Sequence, residues 1–245
     1  MAQFFVDPGQ THGDRILIEG SDYNHLKNVL RMKPGEKLTV SDGGAHIYAC
    51  ELTGFSEGAA EVRILSESRD TELTSKLWLF QGLPKADKME LIIQKAVELG
   101  AFGIVPVSMK RCIVKLDAKK EESRLKRYQA ISESAAKQSG RGIVPEVTGV
   151  MTLKEALAFA GANCDHILVP YEKAGDMDRT RGILENIRPG ESAAVFIGPE
   201  GGFEESEIRE CEDSGAQVIT LGRRILRTET AGLAVLSALM FRLEE

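Results

Sequence analysis

The chain has 245 residues, of which 42% are hydrophobic and 28% charged, and it carries a net charge of −6. That is apolar material for one large domain or two modest ones, and it excludes a disordered chain. No basic stretch followed by an apolar run opens the sequence, and the uncharged run 231–241 is too short for a bilayer, so a soluble cytoplasmic protein with no membrane partner is expected.

Residues 1–70 read as short strands at 3–6, 15–19, 37–41, 46–53 and 60–65, punctuated by Pro8-Gly9, Pro34-Gly35 and Gly43-Gly44. A helix at 22–31, with Ser21 as its N-cap, interrupts them. Many short strands in so little chain predict a small β-barrel. The polar stretch 66–75 is read as a linker, which divides the chain into domains 1–70 and 76–245.

From Lys76 strands and helices alternate: a strand at 76–81, a helix at 86–99, a strand at 103–107 and helices at 121–139 and 152–160. Strands at 165–170, 193–197 and 216–221 follow, with helices at 204–214 and 228–243. Several of these strands are nearly all apolar, which predicts a parallel sheet covered on both faces in an α/β fold.

Cys50, Cys112, Cys164 and Cys211 form no CxxC pair, and the four histidines are scattered, so free thiols and no metal are expected. The charge is uneven. Residues 1–70 hold 7 Lys/Arg against 11 Asp/Glu, residues 76–145 hold 14 against 7, and residues 146–245 hold 10 against 18. The basic middle reads either as a footprint for phosphates or as a solvated helix face.

In α/β sheets ligands bind where strands end and helices begin. Two such junctions stand out. Ile197-Gly198-Pro199-Glu200-Gly201-Gly202-Phe203 allows sharp turns and close main-chain approach, while Glu200 suits a cation better than a phosphate. Leu221-Gly222-Arg223-Arg224-Ile225-Leu226-Arg227-Thr228-Glu229-Thr230-Ala231 places three arginines beside a helix entry, with Thr228 as N-cap and Glu229 in the first turn. Its Ile225 and Leu226 either line a pocket for a flat ring or sit in the core. Neither junction is GxGxxG or GxxxxGK[ST], which argues against NAD and P-loop enzymes.

Together these two segments resemble the cofactor loops of SPOUT methyltransferases. His25-Leu26-Lys27-Asn28-Val29-Leu30-Arg31, Lys85-Ala86-Asp87-Lys88-Met89-Glu90 through Gly100, and Glu133-Ser134-Ala135-Ala136-Lys137-Gln138-Ser139-Gly140-Arg141 are similar to motifs of the RsmE branch, the 16S rRNA (uracil-N3)-methyltransferases. The resemblance implies an N-terminal PUA-like β-barrel and a C-terminal trefoil-knotted parallel-sheet domain. It also implies a homodimer acting on 16S rRNA or the small ribosomal subunit.

S-adenosylmethionine is the implied cofactor. Val169, Pro170, Gly198, Glu200, Gly201, Leu221, Gly222, Ile225, Leu226 and Thr228 are the implied binding residues. Arg227 is expected on the substrate base or, alternatively, on a phosphate alone, with Glu229 or Thr230 as proton acceptor or orienter, Glu229 alternatively being only a first-turn helix charge. His25, Lys27, Arg31, Lys33, Lys85, Lys88, Arg111, Gln138 and Arg141 are expected to contact RNA, His25 alternatively being structural. The stripe Leu233, Leu236, Met240 and Leu243 serves either a dimer interface or a core face. Open alternatives are a SPOUT enzyme acting on a ribose hydroxyl or a transfer RNA base, and a non-catalytic assembly factor.

Overall fold

The computed structural model describes residues 2–44, 46–68, 71–115 and 117–244. They form two compact units, Met1–Glu72 with Ala136–Val144, and Leu73–Ala135 with Pro145–Glu245.

The first unit is a six-stranded sheet built from β1 (Gln3–Phe5), β2 (Thr11–His12), β3 (Arg15–Glu19), β4 (Lys37–Ser41), β5 (Ile47–Phe55) and β6 (Ala59–Ser68), in the order β1-β4-β5-β6-β3-β2. Among the described residues of this unit, only β1 and β4 pair in parallel. Alternation along the strands turns Ile16, Ile18, Leu38, Val40, Cys50, Leu52 and Val62 inward, where they form one core with Phe4 and Leu26. β6 runs on into the stretch read as a linker, of which residues 69 and 70 lie outside the described residues.

The helix expected at 22–31 begins earlier, as α1 (Gly20–Asn24), and continues as a π-helical turn over His25–Val29. Ser21 therefore lies inside the helix and is not its cap. The wider turn carries Leu26 fully into the core and leaves Val29 and Leu30 exposed. Residues 136–144 group with this unit rather than with the rest of the C-terminal stretch. Physically, the Arg141 guanidinium pairs with Glu72, the Gln3 side-chain amide donates to the Arg141 carbonyl at 2.5 Å, and Ser41 donates to the Gly142 carbonyl at 2.5 Å.

The second unit is a seven-stranded parallel sheet. It comprises β7 (Leu77–Gly82), α2 (Lys88–Glu98), β8 (Ala101–Ser108), α3 (Ala118–Ser139, whose last residues group with the first unit), β9 (Glu146–Val147), β10 (Met151–Thr152) and α4 (Leu153–Asn163). It continues with β11 (His166–Pro170), α5 (Met177–Asn186), β12 (Ala193–Ile197), α6 (Glu205–Asp213), β13 (Gln217–Ile219) and α7 (Thr228–Leu243). The order is β10-β8-β7-β12-β11-β13, with β9 beside β8.

β7 is buried along its whole length. Trp78 and Phe80 face α4 and α6, and Phe80 stacks on Phe196 at 4.3 Å between centroids. Leu79 and Gln81 face α7, where Gly232 leaves room for them. Leu236 and Leu243 are fully buried, so these two members of the stripe belong to the core; Leu233 and Met240 are half-buried.

A helix start, a helix cap and one whole helix differ from expectation. The helix read from residue 86 starts at Lys88, because Ala86 takes φ +52° and Asp87 is not helical. Arg227, not Thr228, occupies the N-cap of α7: its carbonyl accepts the Thr230 and Ala231 N–H groups at 2.9 Å, and Thr228 turns inward. Helix α5 was not expected. Its sequence is mostly polar with Gly182 inside and only Thr180 buried, so it carries no apolar stripe; Asp176 caps it through the Asp178 and Arg179 N–H groups. Among the described residues no helix is long and apolar enough to cross a membrane.

Candidate active site

A cleft of about 370 Å³ opens at the C-terminal ends of β11, β12 and β13, walled by the three loops that follow them and by Lys88. All of it belongs to the second unit. This is the edge at which parallel sheets leave main-chain groups and helix starts available to a ligand.

The loop after β12 is folded back on itself. The Gly202 N–H donates to the Pro199 carbonyl at 2.8 Å, with Gly202 at φ +65°. A Cβ at Gly198 would stand 3.1 Å from the Gly202 carbonyl carbon, and one at Gly201 would stand 3.0 Å from Arg111 Cβ. A side chain at either position would make its neighbours shift, so the loop offers its main chain to the cleft.

Glu200 is held by two neighbours. Its Oε1 accepts the Lys85 N–H at 3.0 Å and lies 3.1 Å from Lys88 Nζ. Burial pushes the Glu200 carboxyl up, but the N–H groups of Glu200 and Lys85 and the Lys88 ammonium more than offset it, leaving it below the usual carboxylate range. Lys88 also lies 3.3 Å from Glu229 Oε2, so one ammonium ties the β12 loop to the first turn of α7. The Glu200 contact chiefly, and the Glu229 contact after it, hold the Lys88 ammonium above its ordinary value.

The loop after β13 supplies the opposite wall. Gly222 has φ +96°, and its N–H donates to Thr220 Oγ1 at 3.3 Å. Leu226 is half-buried and Ile225 is 87% exposed, so both line the cleft and neither is a core residue. Arg224 and Arg227 line it with exposed side chains. The Thr228 hydroxyl is buried beneath and donates to the Gly198 carbonyl at 2.7 Å.

Of the residues expected to bind cofactor, Pro170, Gly198, Glu200, Gly201, Leu221, Gly222, Ile225, Leu226 and Thr228 line this one cleft, while Val169 is buried in β11 behind it. Of those expected to act on the base, Arg227 lines it; Glu229 and Thr230 stand just beyond it on α7.

The residues expected to contact RNA are divided. Lys88 is held by the two carboxylates, and Arg111 Nη1 donates to the Gly201 carbonyl at 2.8 Å, so both brace the glycine loop. Arg141 is 5% exposed and committed to Glu72, which withdraws it from solvent. Gln138, His25, Lys27, Arg31, Lys33 and Lys85 are exposed; His25 sits edge-on to Phe4 at 6.1 Å, and Lys27 Nζ donates to the Tyr23 hydroxyl at 2.7 Å.

Sequence reasoning missed Tyr171 and Glu172, which line the cleft immediately after β11. Their place at a strand's C-terminal end was the available signal. It also missed Gln81, a lone polar side chain in an otherwise apolar strand, whose amide donates to Thr228 Oγ1 at 2.8 Å.

Residues 71–240 match the model of an RNA methyltransferase domain, and residues 18–65 match that of an RNA methyltransferase PUA domain. Ribosomal RNA small subunit methyltransferase E of Bacillus subtilis is 35% identical over 231 residues, covering 93% of this chain and 90% of its own. The chain belongs to the ribosomal RNA small subunit methyltransferase E family. The family member from Mesomycoplasma hyopneumoniae is 32% identical, with 97% and 98% of the two chains covered. The crystal structure of the family member from Neisseria gonorrhoeae, bound to S-adenosylmethionine, is 34% identical and superposes with a TM-score of 0.84 over 98% of this chain and 97% of that one.

Proposed function

We propose that this chain transfers a methyl group from S-adenosylmethionine to the N3 position of a uridine in 16S ribosomal RNA. The observation that carries the reading is the single cleft in which the main-chain cradle of Gly198, Gly201 and Gly202 faces the apolar wall of Ile225 and Leu226. The residues fit the donor. A flat ring suits the apolar wall, and Glu172 and Arg224 bring opposite charges to the same cleft for the ammonium and carboxylate of an amino-acid end. The S-adenosylmethionine bound to the Neisseria relative supports the same assignment.

When bound, S-adenosylmethionine supplies an electrophilic methyl group on sulfur. The glycine loop fixes its place by main-chain contact, and the loops after β11 and β13 wall its other sides. The uracil N3 lone pair is a poor nucleophile until the N3 proton leaves, and negative charge then spreads over the two carbonyls. Arg227, which lines the cleft with an exposed side chain, stabilises that charge in this reading. Glu229 or Thr230 takes or orients the proton, which requires the base to approach the first turn of α7.

The exposed cations Lys27, Arg31 and Lys33 of the PUA-type unit hold RNA by its phosphates, together with Lys85. The reading includes a trefoil knot in the C-terminal domain and a homodimer acting in the cytoplasm. Calorimetry with S-adenosylmethionine, followed by mass mapping of 16S rRNA from a deletion strain before and after adding the protein, tests the function. A methylated ribose or a transfer RNA product would overturn the N3 assignment, and no donor binding would overturn the whole.

A further inference from the structure

β7 is apolar except for Gln81, which is 0% exposed in the middle of the sheet. A buried amide costs free energy unless it is hydrogen-bonded, and here it is only partly so. Nε2 donates to the Gly82 carbonyl at 3.0 Å and to Thr228 Oγ1 at 2.8 Å, while Oε1 has no hydrogen-bond partner among the described residues. A methionine or leucine would fill the space without leaving an orphaned acceptor.

The contacts have a fixed direction. The Gly82 carbonyl can only accept, so it holds the Nε2 face of the amide toward itself and toward Thr228. Having accepted from Nε2, the Thr228 hydroxyl sends its one proton to the Gly198 carbonyl at 2.7 Å. That carbonyl belongs to the Gly198–Pro199 peptide, whose nitrogen has no hydrogen to pin it by another route. Its orientation sets the course of the glycine loop. Thr228 in turn opens α7, immediately after Leu226 and Arg227 on the opposite wall. One hydroxyl thus joins both walls of the cleft, and Gln81 orients that hydroxyl from below.

We propose that Gln81 is a positioning residue for methyl transfer: its side-chain amide sets the Thr228 hydroxyl as donor to Gly198 and so holds the two donor-binding loops in register. This rests on the reading of the cleft as the S-adenosylmethionine site. Gln81 itself touches neither donor nor base.

The full-length chain is titrated with S-adenosylmethionine first, unmodified. If it does not bind, the reading of the cleft fails, and this proposal with it, before any substitution is made. Gln81→Met then keeps the volume and removes the donors. It is expected to melt near the unmodified chain and to bind S-adenosylmethionine about tenfold more weakly, the scale of one oriented hydrogen bond, with KM for RNA unchanged. Thr228→Val is expected to weaken donor binding at least as much, and Thr228→Ser to restore it. Adding Gln81→Met to Thr228→Val is expected to cost nothing further, because the two act through one contact.

Gln81→Glu supplies a readout that a filler role would not move. The buried carboxylate can only accept, so it draws the Thr228 proton away from Gly198; the protonated acid can donate as the amide does. Donor affinity of Gln81→Glu is therefore expected to improve as pH falls from 8 to 6, relative to the unmodified chain. Unchanged affinity in Gln81→Met, additive losses in the double variant, or a flat pH response in Gln81→Glu would each overturn the proposal. Failure of both Gln81 variants to fold would make the residue structural and overturn it as well.

Discussion

The Lys88 ammonium lies 3.3 Å from Glu229 Oε2 while holding Glu200 Oε1 at 3.1 Å, so a single cation ties the β12 loop to the first turn of α7, across carboxylates 29 positions apart in the sequence. A phosphate-binding lysine and a bracing lysine differ in what salt does to them. Lys88→Met is expected to weaken S-adenosylmethionine binding and lower kcat, because the β12 loop and the first turn of α7 lose their common partner. The slope of RNA affinity against salt is expected to stay the same, since removing a phosphate contact lowers it by about one unit. Filter binding across a salt series, beside calorimetry with the donor, distinguishes the two roles, and a reduced slope with unchanged donor affinity would return Lys88 to the RNA surface.

Gly201→Val places two methyl groups where a single Cβ already stands 3.0 Å from Arg111 Cβ. The loop is at the rim of the unit rather than in its core, so the clash is relieved by displacing the loop and not by unfolding the sheet. Donor binding is expected to become undetectable by calorimetry while the far-UV circular dichroism is unchanged. Gly201→Ala gives a smaller loss, since only the one close contact must give way. Normal affinity in the valine variant would show that the cradle does not hold the donor.

Much of the second unit was legible because its signals are local. Apolar runs such as 193–197 and the glycines after them show a buried strand ending at a loop, and residue type alone shows that Gly198 and Gly201 allow close approach. What could not be read depends on partners distant in sequence. The pairing of Lys88 with Glu200 and Glu229, and of Arg141 with Glu72, brings together residues that no local signal joins. Thr228 reads as a helix cap by position, but Gln81 and Gly198 draw its hydroxyl inward and leave the cap to the Arg227 main chain. Helix α5 was invisible because it buries only Thr180 and so has no apolar period to detect.

Arg227 is exposed on the cleft wall and makes its structural contribution through its carbonyl, which caps α7 whatever the side chain. Arg227→Ala is therefore expected to keep the fold, the melting temperature and donor affinity. Methyl transfer is expected to fall about 10²- to 10³-fold, the usual consequence of removing one donor that meets developing charge. Single-turnover transfer to 16S rRNA, measured beside donor calorimetry, checks it. Full activity would remove the guanidinium from the chemistry.

The Glu200 carboxyl is held below its ordinary value of 4.5 in the folded chain, with burial opposing the N–H groups and Lys88 that hold it there. For a group whose folded pKa is depressed, the stabilisation is complete above the unfolded value and disappears as pH falls through the folded one. The fastening of the glycine loop is therefore expected to be intact from pH 5.5 upward and to fail progressively below about 4.5. Because the side chain is 27% exposed, solvent screens the pair, and the consequence is local: donor binding is affected more than global stability. Glu200→Gln removes the titration. Its affinity for S-adenosylmethionine is expected to be below that of the unmodified chain at pH 7 and to converge with it only as the pH falls through the depressed value of the Glu200 carboxyl, below its ordinary 4.5. Parallel curves that never converge would show that the Glu200 charge plays no part in holding the loop.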